Sequence, residues 1–456
     1  MTENLTKNQN LKTLLFCIVL AVGIVYYFSN PKPQNYYDYT FRVADNMLRG
    51  EIGFKEKPPN WLNEFVPFEG NWYSVFPLGS VVTMMPPAIF KVAGIVKEMP
   101  AALIAAITAS LLCLFLLLVS EKYRLAFEKK ILFAMAILFG TWMWTNETIG
   151  GAWQLALGWS MVGEIGAIYF TVYHRKPVLA GLFFALAFGN RTEVLLTAPI
   201  FMFLLFYDKK QDEEIVETIE TEEIKPKKKK KSKGKTGNYS PEKKEKSYFQ
   251  QLGSAFSNFK LQLSNERRNS LTKLARFCAA PFVLGVSTLV YNYVRFHSFT
   301  DFGYARIPGV LKEPWYDHGI FSVYYISGQA TEMLWKPWEA LAQFPYLAPD
   351  PFSSSILWSS PFLFLLFRFG ARDKVLVFCA WLAVFVLTIL LWMHGNSGGW
   401  QFGYRYAMVL LPWIFVILLE NSPKKITVFE AATCAVSFLI NIYSIWLFHW
   451  TEYMKR

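Results

Sequence analysis

Few residues in this chain of 456 carry chemistry, and most of those flank long apolar runs. Asp38 and Asp45 lie in the mixed stretch 36–50. If that stretch is helical, a seven-residue offset puts both carboxylates on nearly the same face, about 10 Å apart along the axis. Carboxylates so placed can take a proton from a hydroxyl. They can also hold Mg2+ or Mn2+ against a phosphate. Structural roles account for them as well: Asp38 as a charge at a helix start, Asp45 as a solvated partner of Arg42 or Arg49. Arg191 and Arg405 sit beside the ends of apolar runs. There a charge is costly unless it snorkels to headgroups, pairs or binds something, and Glu193 is near enough to pair with Arg191. Glu64, Glu147, His297, Asp301 and Tyr304 fall in connecting segments, where caps, turns and interfaces also use such residues. Glu164 stands inside an apolar run and reads as a paired or protonated structural group, although an intramembrane carboxylate is a functional hint by default.

Other chemistries lack their residues. The five cysteines (Cys17, Cys113, Cys278, Cys379, Cys434) show no CxxC or Cys/His spacing and lie in apolar runs, as small buried hydrophobes do. The five histidines form no HxxxH or HExxH, so no zinc site is expected. Gly234-Lys235-Thr236 ends like a phosphate-binding loop, but the glycine required five residues earlier is Lys229, and the match fails.

The elements that must position these residues are membrane spans. Hydrophobic residues make up 53% of the chain, aromatics 18% and charged residues 18%, against about 25% charged in soluble domains. Mean hydropathy is +0.24. Apolar runs of bilayer length recur from end to end, which predicts an all-α, polytopic membrane protein of about eleven spans. The first run, 14–28, follows Lys7 and Lys12 and exits through Tyr-Tyr-Phe-Ser-Asn-Pro without a small-x-small cleavage site. It reads as a retained signal anchor. Further spans are expected near 100–119, 131–147, 153–173, 178–189, 192–207, 277–295, 355–369, 375–393, 405–419 and 426–448.

The apolar run 75–96 contains Pro77, Pro86, Pro87, Gly79 and Gly94. Treated as an interfacial element rather than a span, it leaves Lys122, Arg124, Lys129 and Lys130 inside, as the positive-inside rule prefers. The inner segments then hold 31 of the 46 positive residues. The formal net charge of +12 therefore reports topology and not nucleic-acid binding. Segment 208–276 alone carries 18 Lys+Arg against 11 Asp+Glu. It is expected to be a disordered cytoplasmic loop, able to touch anionic lipids, between an N-terminal module 1–207 and a C-terminal module 277–456. The N-terminus is expected in the cytoplasm. The outer face collects loops 30–99 and 296–354 and the short turns 146–151, 190–193 and 394–404. Group transfer on that face has no access to ATP or nucleotide sugars, so its donor must arrive by way of the membrane.

The outer loops also carry a resemblance. The first reads Asp38-Tyr-Thr-Phe-Arg42-Val-Ala-Asp45-Asn-Met-Leu-Arg-Gly50, then Lys57-Pro58-Pro59, then Gly70-Asn-Trp-Tyr73-Ser-Val-Phe-Pro77-Leu-Gly. Gly140-Thr-Trp-Met-Trp precedes Trp153-Gln154, and Gly189-Asn-Arg191-Thr-Glu193 separates two apolar stretches. Tyr291-Asn-Tyr-Val-Arg295-Phe-His297 leads to Gly303-Tyr304, and Gly403-Tyr404-Arg405-Tyr406 leads to Pro412. In order and placement these segments resemble the GT-C superfamily of integral-membrane glycosyltransferases. They are most similar to bacterial relatives of the polyprenyl- or dolichyl-phosphate-mannose-dependent mannosyltransferases and the aminoarabinosyltransferases. The likeness covers most of the chain outside 208–276. Two departures stand out: Asp38 is followed by Tyr39 rather than a second acid, and His297 stands where the pattern has glycine.

The resemblance implies inverting transfer of a sugar from a polyprenyl-phosphate carrier to a lipid, glycan or protein hydroxyl, at the outer face of a bacterial plasma membrane. It assigns Asp38 or Asp45 as the base, with a divalent cation there if any. Arg405, Arg191 and Lys57 would hold the donor phosphate, and Glu64, His297 and Tyr304 would lie on the acceptor side. Membrane lipids are expected partners and nucleic acid is not. Two other classes compete: a transporter or lipid flippase, which would distribute charge through the membrane, and an inactive GT-C-like scaffold.

Overall fold

The computed structural model describes residues 2–207 and 267–453, with residues 250, 252–254 and 257 between them. The expected charged loop over 208–276 falls largely outside the described residues. Where description resumes, the chain is already helical, and the helix Arg267–Phe296 runs unbroken across the expected module boundary at 277.

The protein is a polytopic helical membrane protein. Six helices are long and apolar enough to cross a bilayer: Lys12–Ser29, Ala101–Ser120, Ala152–Tyr173, Arg268–Phe296, Lys374–Met393 and Val428–Trp450. The other apolar segments are shorter or broken, so helix length alone marks six spans among the described residues where eleven were expected. Two of the short ones share a design. Arg191 precedes a 3-10 turn, Thr192–Thr197, that feeds the helix Ala198–Phe206. Arg405 opens a second, Arg405–Leu410, that feeds Leu411–Glu420. In each, a proline (Pro199, Pro412) occupies the first turn of the α-helix. Proline lacks an amide donor and its ring clashes with the carbonyl four residues back, so an α-helical ladder cannot continue through it. The 3-10 turn rises faster per residue, and 192–206 reaches about 25 Å despite its length.

Hydrogen bonds sort the connections into two ends. At one, the Ala126 amide donates to Lys424 O at 2.9 Å. There Lys129 and Arg368 both pair with Glu430, at 2.7 and 2.5 Å, and Tyr207 donates to Asp373 at 2.9 Å. Tyr123 donates to Glu420 at 2.7 Å. The short basic segments expected on the inner side therefore meet at one end, here called the basic end. At the other, Asn146 donates to Phe402 O at 2.7 Å, Trp450 Nε1 to Ser29 O at 2.9 Å, and the Gln34 amide to Ile149 O at 2.7 Å. This loop end gathers the segments expected on the outer side.

Run 75–96 stays at the loop end as two short helices, Leu78–Thr83 and Met85–Val92. Thr83 Oγ1 donates to Asn190 Oδ1 at 3.2 Å, and Gly79 packs directly on the Gly189 backbone. It is an interfacial element, as the charge distribution predicts. The first loop also holds strands that an all-α reading omits. Phe65–Phe68 pairs antiparallel with Asn71–Ser74, closed by Glu69 and Gly70, both at positive φ (48° and 80°). Two such residues make the mirror-image turn that suits strand twist.

Candidate active site

A cavity of about 550 Å³ opens at the loop end. Its walls come from six separated segments: residues 34–37, 60–64, 153–154, 304–315, 350–352 and 396–406. Trp61, Trp153, Trp315, Trp400, Tyr37 and Tyr406 make it aromatic, and Asn60, Asn63, Asn396, Gln34 and Gln154 supply amides. Glu64, Glu313 and Asp350 are its carboxylates and Arg405 its cation.

The hairpin places Glu64. Its carbonyl accepts from the Val75 amide at 3.2 Å, just below the first strand pair. Both carboxylate oxygens accept from Trp153 Nε1 at 2.9 Å. Trp153 belongs to the first turn of the helix Ala152–Ile168, so the hairpin loop is tied to a span. Burial pushes the Glu64 carboxyl up to about 7, against the pull of the Trp153 N–H and of Arg405 and Arg191, with Glu313 adding to the rise. Glu313 is held the same way, accepting from Trp315 Nε1 at 2.7 Å.

A glycine loop places Arg405. Gly398 and Gly399 adopt φ of 120° and 63°, and a Cβ on Gly398 would come within 3.0 Å of Arg405 Nε. Gln401 accepts from the Arg405 amide at 2.6 Å, and Arg405 Nη1 donates to Gly399 O at 3.0 Å. The side chain lies over Trp153 (5.8 Å) and Tyr406 (5.2 Å). Arg405 is 6% exposed, and its Nε has no hydrogen-bond partner. Among the described residues no carboxylate pairs with it. A buried guanidinium with an unmet donor beside a cavity is suited to an anion.

Of the residues predicted from sequence, Glu64, Tyr304 and Arg405 line this cavity. Asp38, Asp45, Lys57, Arg191 and His297 do not. Asp38 occupies the position before the helix Tyr39–Leu48 without a side-chain capping bond and takes a fork from Arg42, whose Nε and Nη2 donate at 3.1 and 3.0 Å. Burial raises its carboxyl, and Arg42 offsets part of that. Asp45 pairs with Lys91 at 2.8 Å and Arg49 at 3.1 Å. Desolvation raises Asp45, but the two cations outweigh it and its carboxyl lies below the usual range. Both carboxylates already hold cations, and no group of three metal-ligating side chains forms among the described residues, so this donor set does not fit a divalent ion.

Lys57 lies over the Trp72 ring at 5.9 Å. Arg191 pairs with Glu193 at 2.7 Å and lies over Tyr406 at 5.0 Å, behind the cavity wall. His297 is exposed, 3.6 Å from Glu69. Its φ of 54° explains why the pattern it resembles has glycine there. Asp301 is a turn residue, accepting from the Gly303 amide and Arg306. Glu147 is buried against Gly158, and Glu164 accepts from Trp413 Nε1 at 3.1 Å.

Sequence reasoning missed Glu313, Trp315, Tyr316 and His394. Their only signals were the string Glu313-Pro-Trp-Tyr316 and the small-residue turn after His394.

No protein-family model matches the chain, and no curated protein matches it. Among solved structures, it is similar to the oligosaccharyltransferase of Archaeoglobus fulgidus in the apo form, with a TM-score of 0.40 and 13% identity over 96% of this chain. The chain spans about half of that protein's length, 55%.

Proposed function

We propose that the loop-end cavity is the active site of a membrane glycosyltransferase. It would take a sugar from a polyprenyl-phosphate carrier and pass it, with inversion, to a hydroxyl of a lipid, glycan or protein. The observation that carries this reading is one aromatic, amide-lined cavity holding both an acidic group that titrates near 7 and a buried arginine without a carboxylate partner. Pockets of this make-up, apolar walls with a few placed polar groups, orient small ligands. The resemblance of the outer loops to GT-C enzymes supplies the reaction. The positive-inside rule puts the loop end outside, where a lipid-borne donor is available.

In this proposal the acceptor oxygen attacks the anomeric carbon from the face opposite the phosphate. The C–O bond to phosphate breaks and its electrons leave with the carrier. Glu64 takes the hydroxyl proton, since a base titrating near the working pH is the most effective. Arg405, itself buried, neutralises the departing phosphate. Asp38 and Asp45 hold the first-loop helix through their ion pairs. Reconstituted protein supplied with radiolabelled polyprenyl-phosphate sugars and host lipid tests the reading. Wild type should transfer, Glu64→Gln and Arg405→Ala should not, and Asp38→Asn and Asp45→Asn should retain activity. Loss of transfer in Asp38→Asn with retention in Glu64→Gln would reassign the base. Absence of donor binding by wild type would refute the class.

A further inference from the structure

One hydrogen-bond chain leads out of the cavity and ends on a histidine. Tyr304 lines the cavity, and its hydroxyl lies 3.0 Å from the Tyr316 hydroxyl. That hydroxyl lies 3.5 Å from His394 Nε2, and His394 Nδ1 lies 2.6 Å from Asn396 O. A carbonyl oxygen can only accept, so Nδ1 carries the hydrogen and donates it. Burial holds the His394 ring down to about 4; the Asn396 carbonyl works against this, and the nearby Arg191 and Arg405 charges reinforce it. A neutral imidazole with hydrogen on Nδ1 offers only a lone pair at Nε2. Tyr316 must then donate to Nε2, which leaves its oxygen to accept from Tyr304. The one hydrogen of Tyr304 is thereby committed, and only its lone pairs remain for a further partner.

The fold enforces this geometry. His394 bridges Phe321 as in a short antiparallel ladder, with Ser322 N–H donating to Met393 O at 2.8 Å and Gly395 N–H to Ile320 O at 3.0 Å. Gln329 donates to Gly395 O at 2.8 Å. A side chain on Gly395 would strike the Trp315 carbonyl and the Tyr316 ring, so glycine alone permits this approach. Tyr316 itself is 3% exposed.

We propose that Tyr304 is an acceptor-only recognition group for one hydroxyl of the sugar in the cavity, with its direction set by His394 through Tyr316. The inference rests on the carbohydrate reading of that cavity. Tyr304 touches the ligand; Tyr316 and His394 are positioning residues.

The test uses full-length protein in lipid nanodiscs, titrated with polyprenyl-phosphate glucose and mannose. Each is supplied as the parent and with single hydroxyls replaced by hydrogen or by fluorine. Fluorine keeps an acceptor but removes the donated proton. At one ring position both replacements should weaken binding about tenfold, and Tyr304→Phe should erase that discrimination. Nitrogen-15 histidine spectra, assigned with His394→Gln, should show His394 neutral with hydrogen on Nδ1 in wild type. A fluorinated sugar that binds like its parent at every position overturns the inference and leaves the cavity reading standing. Discrimination that survives Tyr304→Phe, or an Nε2–H tautomer, does the same. Failure of both parent donors to bind overturns the inference and the cavity reading together.

Discussion

Replacing Glu64 with glutamine should make the protein inactive and more stable. In the unfolded chain this carboxyl titrates near its ordinary 4.5, and in the fold at about 7. Between those values the fold keeps a proton that the unfolded chain has released. Stability therefore falls as pH rises through that window, and above 7 the cost of the buried charge is complete. That cost is about 2–3 kcal/mol, allowing for screening by water in the cavity. Glutamine stays neutral and keeps an oxygen to accept from Trp153, whose N–H reaches Glu64 at 2.9 Å. At pH 5 the two proteins should melt together, and at pH 8 Glu64→Gln should melt higher by about 2–4 °C. Transfer should drop by about 10²–10⁴-fold, the usual worth of a general base. The measurement is a pair of melting curves in nanodiscs at each pH beside the reconstituted transfer assay. Parallel pH profiles for the two proteins would show that Glu64 titrates normally and would remove the physical basis for its role.

Arg405→Gln should weaken binding of polyprenyl-phosphate sugars about 10- to 100-fold, while Arg191→Gln, whose charge is already met by Glu193 at 2.7 Å, should change it less than about threefold; titration in nanodiscs compares them. Asp38→Asn should leave stability at pH 7 unchanged or slightly higher, because burial of the carboxylate outweighs its Arg42 pair, and should leave transfer within about threefold of wild type, read from the same melts and assays. Lys129→Met strands part of a fully buried ion pair with Glu430 at 2.7 Å and should cost about 3 kcal/mol, seen as a lower melting temperature. Gly79→Ala forces a methyl onto the Gly189 backbone and should destabilise by about 1–3 kcal/mol. Gly328→Ala, in a helix with open space around it, should be neutral or stabilising by up to about 1 kcal/mol in the same melts.

Much of the architecture was legible because the bilayer imposes rules that act one segment at a time. A run without charges must cross or lie in the membrane, and lysines and arginines sort to one side. These rules gave the helical class. They also grouped the basic segments that meet through Lys129, Glu430 and Arg368. The prolines of run 75–96 marked a segment unable to form one long helix, and it stays at the loop end as two short ones. Short spans were harder to count, because apolar composition does not distinguish an α-helix from the 3-10 turns at Thr192–Thr197 and Arg405–Leu410.

The site depended on neighbours that sequence does not reveal. The helix begins at Tyr39, one residue after Asp38, and carries Asp45, but whether a carboxylate is free depends on what lies across from it. Here Arg42, Arg49 and Lys91 occupy them. Glu64 looked like one more loop acid. It titrates near 7 only because a hairpin and the tip of a span enclose it from opposite sides. Residue types and spacing determined that the chemistry gathers at one end of a helical membrane protein. Burial and charge pairing act over a few ångströms between segments far apart in the chain, so only the tertiary structure decided which acid and which arginine remain available for it.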